Sequence, residues 1–280
     1  MDKSAAVETR RARPHGLARL RTGLRHVAAS ARYAIPPALA LFLAAVAWEV
    51  WVRLKDVPTY IVPTPSKVLG RLLGDLPFFA GEGAVTVSEA LAGFALGSAV
   101  ALTGATLMAH SRFLERSLLP LAILVKVTPI VAVAPLFVIW FGFGAAPKIM
   151  IAALITFFPV LVGGVAGFRS IDPRAADFLR SLKASRREVF LTLRVPSAMP
   201  YLFAGFRVSV PLAVIGAVVA EWFTGDRGLG SVIIVAHSNL DMPTLFSAIF
   251  TLAFIGISLT LIVALIEKRV LFWHESSLTV

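Results

Sequence analysis

Six long apolar segments, at residues 35–54, 84–109, 118–142, 147–168, 201–224 and 245–266, leave this chain few ways to fold. A helix rises about 1.5 Å per residue, so a span across a hydrocarbon layer of roughly 30 Å takes about 20 apolar residues, and each segment is long enough. The chain is 58% hydrophobic and only 15% charged over 280 residues, which leaves room for about six spans and short connections but for no large soluble domain. Any energy-converting domain is therefore expected on another chain. The expected fold class is an all-α integral membrane protein of about six transmembrane helices.

The net charge of +11 is not a nucleic-acid signature, because the basic residues stand in blocks between apolar segments without base-stacking aromatics beside them. They read as topology. Lys and Arg are retained on the cytoplasmic side of short loops. The blocks are Lys3 to Arg32 in the N-terminal tail, Arg112 and Arg116, Arg169 to Arg194, and Lys268 with Arg269, and they alternate onto one side. Both termini are thus expected in the cytoplasm (N-in/C-in). The expected organisation is a basic cytoplasmic tail at 1–34, a transmembrane domain at 35–273 and a short cytoplasmic tail at 274–280. Residues 1–34 read as a retained tail, since no small-residue cleavage site follows the first apolar stretch. With no cysteine and no clustered histidines, thiolate catalysis, disulfides and a metal site are not expected.

Between the first two spans, Pro58, Pro63 and Pro65 lead into an amphipathic stretch, Ser66 to Leu73, expected to lie flat on the outer face. The longest polar connection inside the chain is Arg169 to Arg194. There, DFLRSLKASRREVFLTLRVPSAMP (177–200) predicts a helix, a break near Lys183 to Ser185, a second basic helix, and two prolines, Pro196 and Pro200, that stop it.

This segment resembles the EAA loop of the permease subunits of ABC importers. Asp177 stands at the acidic position, Lys183 at the central glycine, Ala184, Ser185 and Arg186 beside it, and Leu193 to Pro196 at the apolar-x-apolar-Pro ending. The departure is Lys183, where glycine would serve a turn of positive φ. Three more segments are similar to the nitrate, sulfonate and taurine branch of that family: YIVPTPSKV (60–68), KVTPIVAVAPLFVIWFGFG (126–144) and EWFTGDRGLG (221–230). The resemblance covers roughly Ile35 to Trp273.

It implies a type I importer permease in a prokaryotic inner membrane, with loop 172–200 coupling to an ATPase. The implied partners are an ABC ATPase dimer that carries ATP and Mg, an extracytoplasmic substrate-binding protein, and a second permease copy, the same chain or a sister. Membrane lipid surrounds them, and no nucleic acid is expected. No cofactor is expected on this chain, and no G-x-x-x-x-G-K-[ST] phosphate loop is present, so ATP hydrolysis is assigned to the partner and the chain itself is not an enzyme. In the loop, Arg186 and Arg187 would orient docking, and Phe190 and Leu191 would pack against the partner.

Charged residues inside spans usually face protein or water. Glu89, Lys126, Arg207 and Glu221 are the ones noted, and the pathway candidates are Glu89, Lys126, Thr128, Pro129, Glu221 and Trp222. Each has a plainer reading. Glu89 could pair with a basic group. Lys126 and Arg207 could snorkel to the cytoplasmic edge. Glu221 and Trp222 could be a wet carboxylate and a belt tryptophan. Pro129 and Pro135 could simply kink the third span, and Gly93 and Gly97 could mark a close helix contact. The glycines at 225, 228 and 230 suggest a flexible gate, a binding-protein contact or an ordinary turn. For the solute, thiamine-precursor pyrimidines, riboflavin, sulfonates, taurine and nitrate stay open. The competing classes are an ion-coupled secondary transporter, which would need inverted repeats, and a membrane enzyme, which would need clustered catalytic groups.

Overall fold

The computed structural model describes residues 15–272, with side chains from residue 35 onward. The expected C-terminal tail, Trp273, residues 1–14 and the basic side chains of residues 15–34 lie outside what is described. The chain divides into two compact units, Met1–Val57 and Pro58–Val280. The first holds α1, His15–Leu54, whose Ile35–Leu54 portion is apolar and span-length.

The regular elements among the described residues of the second unit are all helices: α2 Pro65–Gly74, α3 Leu76–His110, α4 Arg112–Val127, α5 Ile130–Phe141, α6 Ala145–Arg169, α7 Pro173–Ser181, α8 Arg186–Val189, α9 Val195–Thr224, α10 Leu229–Ser238 and α11 Met242–Val270. Five helices of the described chain are long and apolar enough to cross a membrane, or up to six when the bent pair α4 and α5 counts as one span. All six apolar segments thus fall on helices. The third is not straight: α4 and α5 meet at 98° around Thr128 and Pro129. Proline has no N–H to continue the ladder and its ring excludes the α conformation from the preceding residue. Thr128 is accordingly extended, and its hydroxyl donates to the Leu124 carbonyl at 2.8 Å to close the end of α4.

The expected amphipathic stretch is α2. Thr64 caps it, and its Val68 face is buried against α11, where the Ser247 hydroxyl donates to the Val68 carbonyl at 3.1 Å. One short helix, α10, was not anticipated in the loop after the fifth apolar segment.

The core is the packing of α6 against α3 and α9. In lipid, helices gain little from hiding apolar surface, so close van der Waals approach through small residues holds them. Gly97 of α3 faces the Ala153 carbonyl and the Thr156 hydroxyl of α6 so closely that no Cβ fits, and Gly163 of α6 abuts the Tyr201 carbonyl of α9. Ala152 and Ala153 fill the seam between. Outside, Phe254, Ile257, Leu261 and Leu265 of α11 are exposed, a surface suited to lipid tails or to another apolar helix.

Candidate coupling loop and solute pathway

The connection between α6 and α9 is built by two capping devices in succession. Helix α7 starts on Asp172, whose side chain accepts from the Arg174 N–H, and ends in a left-handed turn at Lys183, φ 59°. There the Lys183 N–H donates to the Arg180 carbonyl at 2.9 Å and the Ala184 N–H to the Leu179 carbonyl at 3.1 Å, the paired bonds of a Schellman ending. Lysine therefore makes the turn that glycine would make more easily. Ser185 then opens α8 with a capping box: its hydroxyl accepts from the Glu188 N–H at 3.2 Å and its own N–H donates to the Glu188 carboxylate at 2.6 Å. These bonds, the backbone N–H first, hold the Glu188 carboxyl below the usual carboxylate range.

The prolines do not stop the helix as expected. Phe190–Arg194 forms one wide π turn, and the chain runs from it into α9 with Pro196 in its first turn and Pro200 inside it. A π turn, closed by the Val195 N–H donating to the Phe190 carbonyl, gives the Pro196 ring the room that a regular α turn denies.

That turn also redirects Phe190. Rather than facing outward, its ring is half-buried between His110 of α3 at 5.3 Å and Phe168 of α6 at 5.4 Å, against the core cluster at this end of the bundle. The neighbouring Arg194 donates to the Ala109 carbonyl at 3.3 Å, and Arg169 grips Glu115 with both guanidinium nitrogens. Left exposed are Phe178, Leu182 and Leu191 with Arg186 and Arg187, while Asp177 is exposed and paired with Arg180 at 3.0 Å.

At the opposite end of α3, α6 and α9 lies a polar network. Lys148, 1% exposed, forms ion pairs with Glu89 at 3.0 Å and Asp226 at 2.8 Å and donates to the Arg227 carbonyl at 3.1 Å. Glu221 is fully buried. Its carboxylate accepts from the Thr86 hydroxyl at 2.7 Å and from the Gly230 N–H at 2.5 Å, and Thr86 in turn accepts from the Leu229 N–H at 2.9 Å. Glu82 accepts from the Gly228 N–H at 2.6 Å and from Arg227 at 2.9 Å. The glycine loop is thus tied to α3 and α9 by three consecutive backbone N–H groups. Trp222 beside it is exposed. The sequence reading missed Lys148, Glu82, Thr86 and Asp226. A usable signal was the spacing of Glu82, Thr86 and Glu89, which puts all three on one face of α3.

Among the remaining candidates, Arg207 pairs with Glu267 of α11 at 2.5 Å. Gly93, like Gly97, meets α6. Lys126 stands in the last turn of α4, next to the break, with its ammonium 4.8 Å from the ring centroid of Phe158. Phe158 is at the middle of α6, so this ammonium stands level with the middle of that helix, on a side chain that is exposed in the single chain. Lys126, Thr128, Ile130, Leu154, Phe158 and Leu212 line a cavity of about 340 Å³ there.

Span-length helices joined by a rigid, capped surface loop and holding a cavity at a broken span define a multi-pass membrane transport subunit. Residues 93–272 match the family described as "Binding-protein-dependent transport system inner membrane component". The chain is 37% identical over 238 residues to the riboflavin transport system permease protein RibX of Chloroflexus aurantiacus, covering 84% of this chain and 89% of that one. It is 32% identical over 244 residues to the formylaminopyrimidine transport permease protein ThiX of Halalkalibacterium halodurans, covering 86% and 97%. A solved structure of an amino acid ABC transporter with histidines shares the fold, with TM-score 0.55 and 20% identity over 71% of this chain and 97% of that one. The protein belongs to the binding-protein-dependent transport system inner membrane component family: it is a permease subunit of an ABC importer, a multi-pass protein of the prokaryotic inner membrane.

Proposed function

We propose that this chain forms the solute pathway of an ATP-driven importer by pairing with a second permease copy, and that loop 172–200 is where a partner ATPase dimer, carrying ATP and Mg, docks. The observation that carries this reading is the two-sided character of the loop. Outward it offers exposed Phe178, Leu182 and Leu191 together with exposed Arg186 and Arg187. Inward it is pinned by Phe190 to the ends of α3 and α6. A push on the outer face therefore moves packed spans as rigid bodies, which is what alternating access driven from a partner needs. The caps at Lys183 and Ser185 keep the loop stiff enough to transmit it. In this reading the loop, both termini and the tails at 1–34 and 274–280 are cytoplasmic, and the glycine loop faces the binding protein.

For the solute, the relatives favour a flat heteroaromatic compound of the riboflavin or formylaminopyrimidine kind. A relative at 30% identity, the putative aliphatic sulfonates transport permease protein SsuC of Bacillus subtilis, keeps sulfonates as the second reading.

The test is purification of the tagged chain from its native membrane, with ATPase assay of what accompanies it. An ATPase that co-purifies, and is lost when Arg186→Glu and Arg187→Glu are combined, supports the reading. The chain recovered alone and transporting in vesicles without ATP overturns it.

A further inference from the structure

We infer that the cavity at the α4–α5 break is a water-accessible station in the solute pathway that selects for negative charge or anionic-oxygen character through Lys126. The inference rests on the importer reading and adds to it the chemistry of the solute. Its starting point is a charge without a counter-charge. Lys126 takes part in no ion pair among the described residues, whereas Arg53, Lys148 and Arg207, the other cations inside the six apolar segments, each have a carboxylate. An ammonium placed against lipid at mid-depth is costly, and a lysine whose stem could carry it to an edge would snorkel. Lys126 instead turns toward the centre of α6, over the face of Phe158. A cation–π contact offsets only part of that cost, about 0.5–2 kcal/mol, so water or a solute has to supply the rest.

The surroundings state what kind of solute. Thr128 spends its hydroxyl hydrogen on Leu124, leaving lone pairs only, so Lys126 is the sole charged donor on the lining. The other walls are Val125, Ile130, Leu154, Ile155, Pro159 and Leu212 with the Phe158 ring, and among the described residues no carboxylate lines the cavity. One cation on an apolar, partly aromatic wall fits an organic body bearing an anionic or carbonyl oxygen, and it repels cations. About 340 Å³ is the size of a small organic solute. Because the cavity sits where the span is broken, movement of α5 against α4 would open or close it without unwinding either helix.

The chain has no cysteine, so single cysteines report the site cleanly. Thr128→Cys and, separately, Leu154→Cys are made in the full chain and treated in native membranes with two methanethiosulfonates, one bearing a sulfonate and one a trimethylammonium. Ile139→Cys, an exposed position of α5, serves as the comparison. A unit charge several ångströms away in a partly hydrated cavity shifts reagent concentration about tenfold. The expected result is that both cavity positions react, and that Lys126→Met lowers the ratio of anionic to cationic rate by about tenfold or more while Lys126→Arg preserves it. The ratio at Ile139→Cys is expected not to change. A ratio unmoved by Lys126→Met, or cavity cysteines that react with neither reagent, overturns the inference. ATPase co-purification is scored on the same membranes, so failure of the importer reading is seen separately.

Discussion

The Lys148 ammonium joins Glu89 of α3, at 3.0 Å, to Asp226 of the glycine loop, at 2.8 Å, and so ties three parts of the fold through one buried atom. Such a group is not a source of net stability by itself, because desolvating the charges offsets their attraction. Its effect is specificity: α3, α6 and the loop have only one register in which all three charges are met. Removing one partner is another matter, since Glu89 would stay buried and unpaired.

Lys148→Met is therefore expected to destabilise the bundle by about 3–5 kcal/mol, the range for breaking a buried pair from one side. Adding Glu89→Met should recover much of the loss by removing the stranded carboxylate. Thermal unfolding of the detergent-solubilised chain, followed by the tryptophans, checks both. Equal damage from the single and double variants would contradict the account.

Close approach at the α3–α6 seam gives a sharper expectation. A Cβ at residue 97 would meet the Ala153 backbone carbonyl, which cannot step aside as a flexible side chain can. Gly97→Val should cost at least the upper part of the roughly 1–3 kcal/mol typical of overpacking and lower the yield of folded protein. Gly81→Val, on the same helix but with open space around it, should leave the yield unchanged. Fluorescence size-exclusion profiles of the two variants decide it.

Much of this architecture was legible in the residues, and the part that was not has a physical reason. Span-length apolar segments identify helices because backbone groups in lipid have no alternative partners, and α2 and the two-helix loop followed from proline, serine and periodicity signals. The π turn was not legible. Pro196 and Pro200 are stop signals locally, and only the packing of Phe190 between His110 and Phe168 shows why the chain widens one turn and continues. The same holds for Lys148. It lies three residues beyond the first residue of the helix-starting AAPK, at a segment edge where a lysine reads as a loop charge, and its partners come from positions far away in sequence. For Lys126 the sequence leaves pathway lining and edge anchoring both open, because the ring its ammonium faces, Phe158, lies on another helix and the 98° break beside it has no counterpart in a straight-helix count.

Lys183 carries backbone strain that its sequence position only hinted at. An L-residue in the left-handed region costs roughly 1–2 kcal/mol, and glycine escapes that while losing about 0.5–1 kcal/mol in chain entropy. Lys183→Gly should thus raise stability slightly, by about 0.5 kcal/mol, and leave transport intact. Lys183→Val, β-branched at φ 59°, should weaken the turn and reduce co-purification of the ATPase. Loss of transport in the glycine variant with the ATPase still bound would assign the lysine side chain a duty beyond the turn.

Asp226 makes the tie of the glycine loop sensitive to acid. Burial works against its ionisation, but the hydrogen bond from Lys148, the Arg227 backbone N–H, the charge of Lys148 and the Thr224 hydroxyl together outweigh that and hold its carboxyl below the usual carboxylate range. A carboxyl whose folded value is depressed contributes stability that is fully present above its unfolded-state pKa, near 3.9, and that is lost as pH falls through the lower folded value. At neutral pH the tie is intact, and below about pH 4 protonation should release the loop from Lys148. Hydrogen exchange at residues 225–230, followed from pH 6 to pH 3 and corrected for intrinsic rates, should show protection falling in that window. Asp226→Asn should show the low protection already at pH 6. A protection profile that is flat with pH in the wild type, or unchanged in Asp226→Asn, would mean that the N–H bonds to Glu82, Thr86 and Glu221 hold the loop without help from the ion pair.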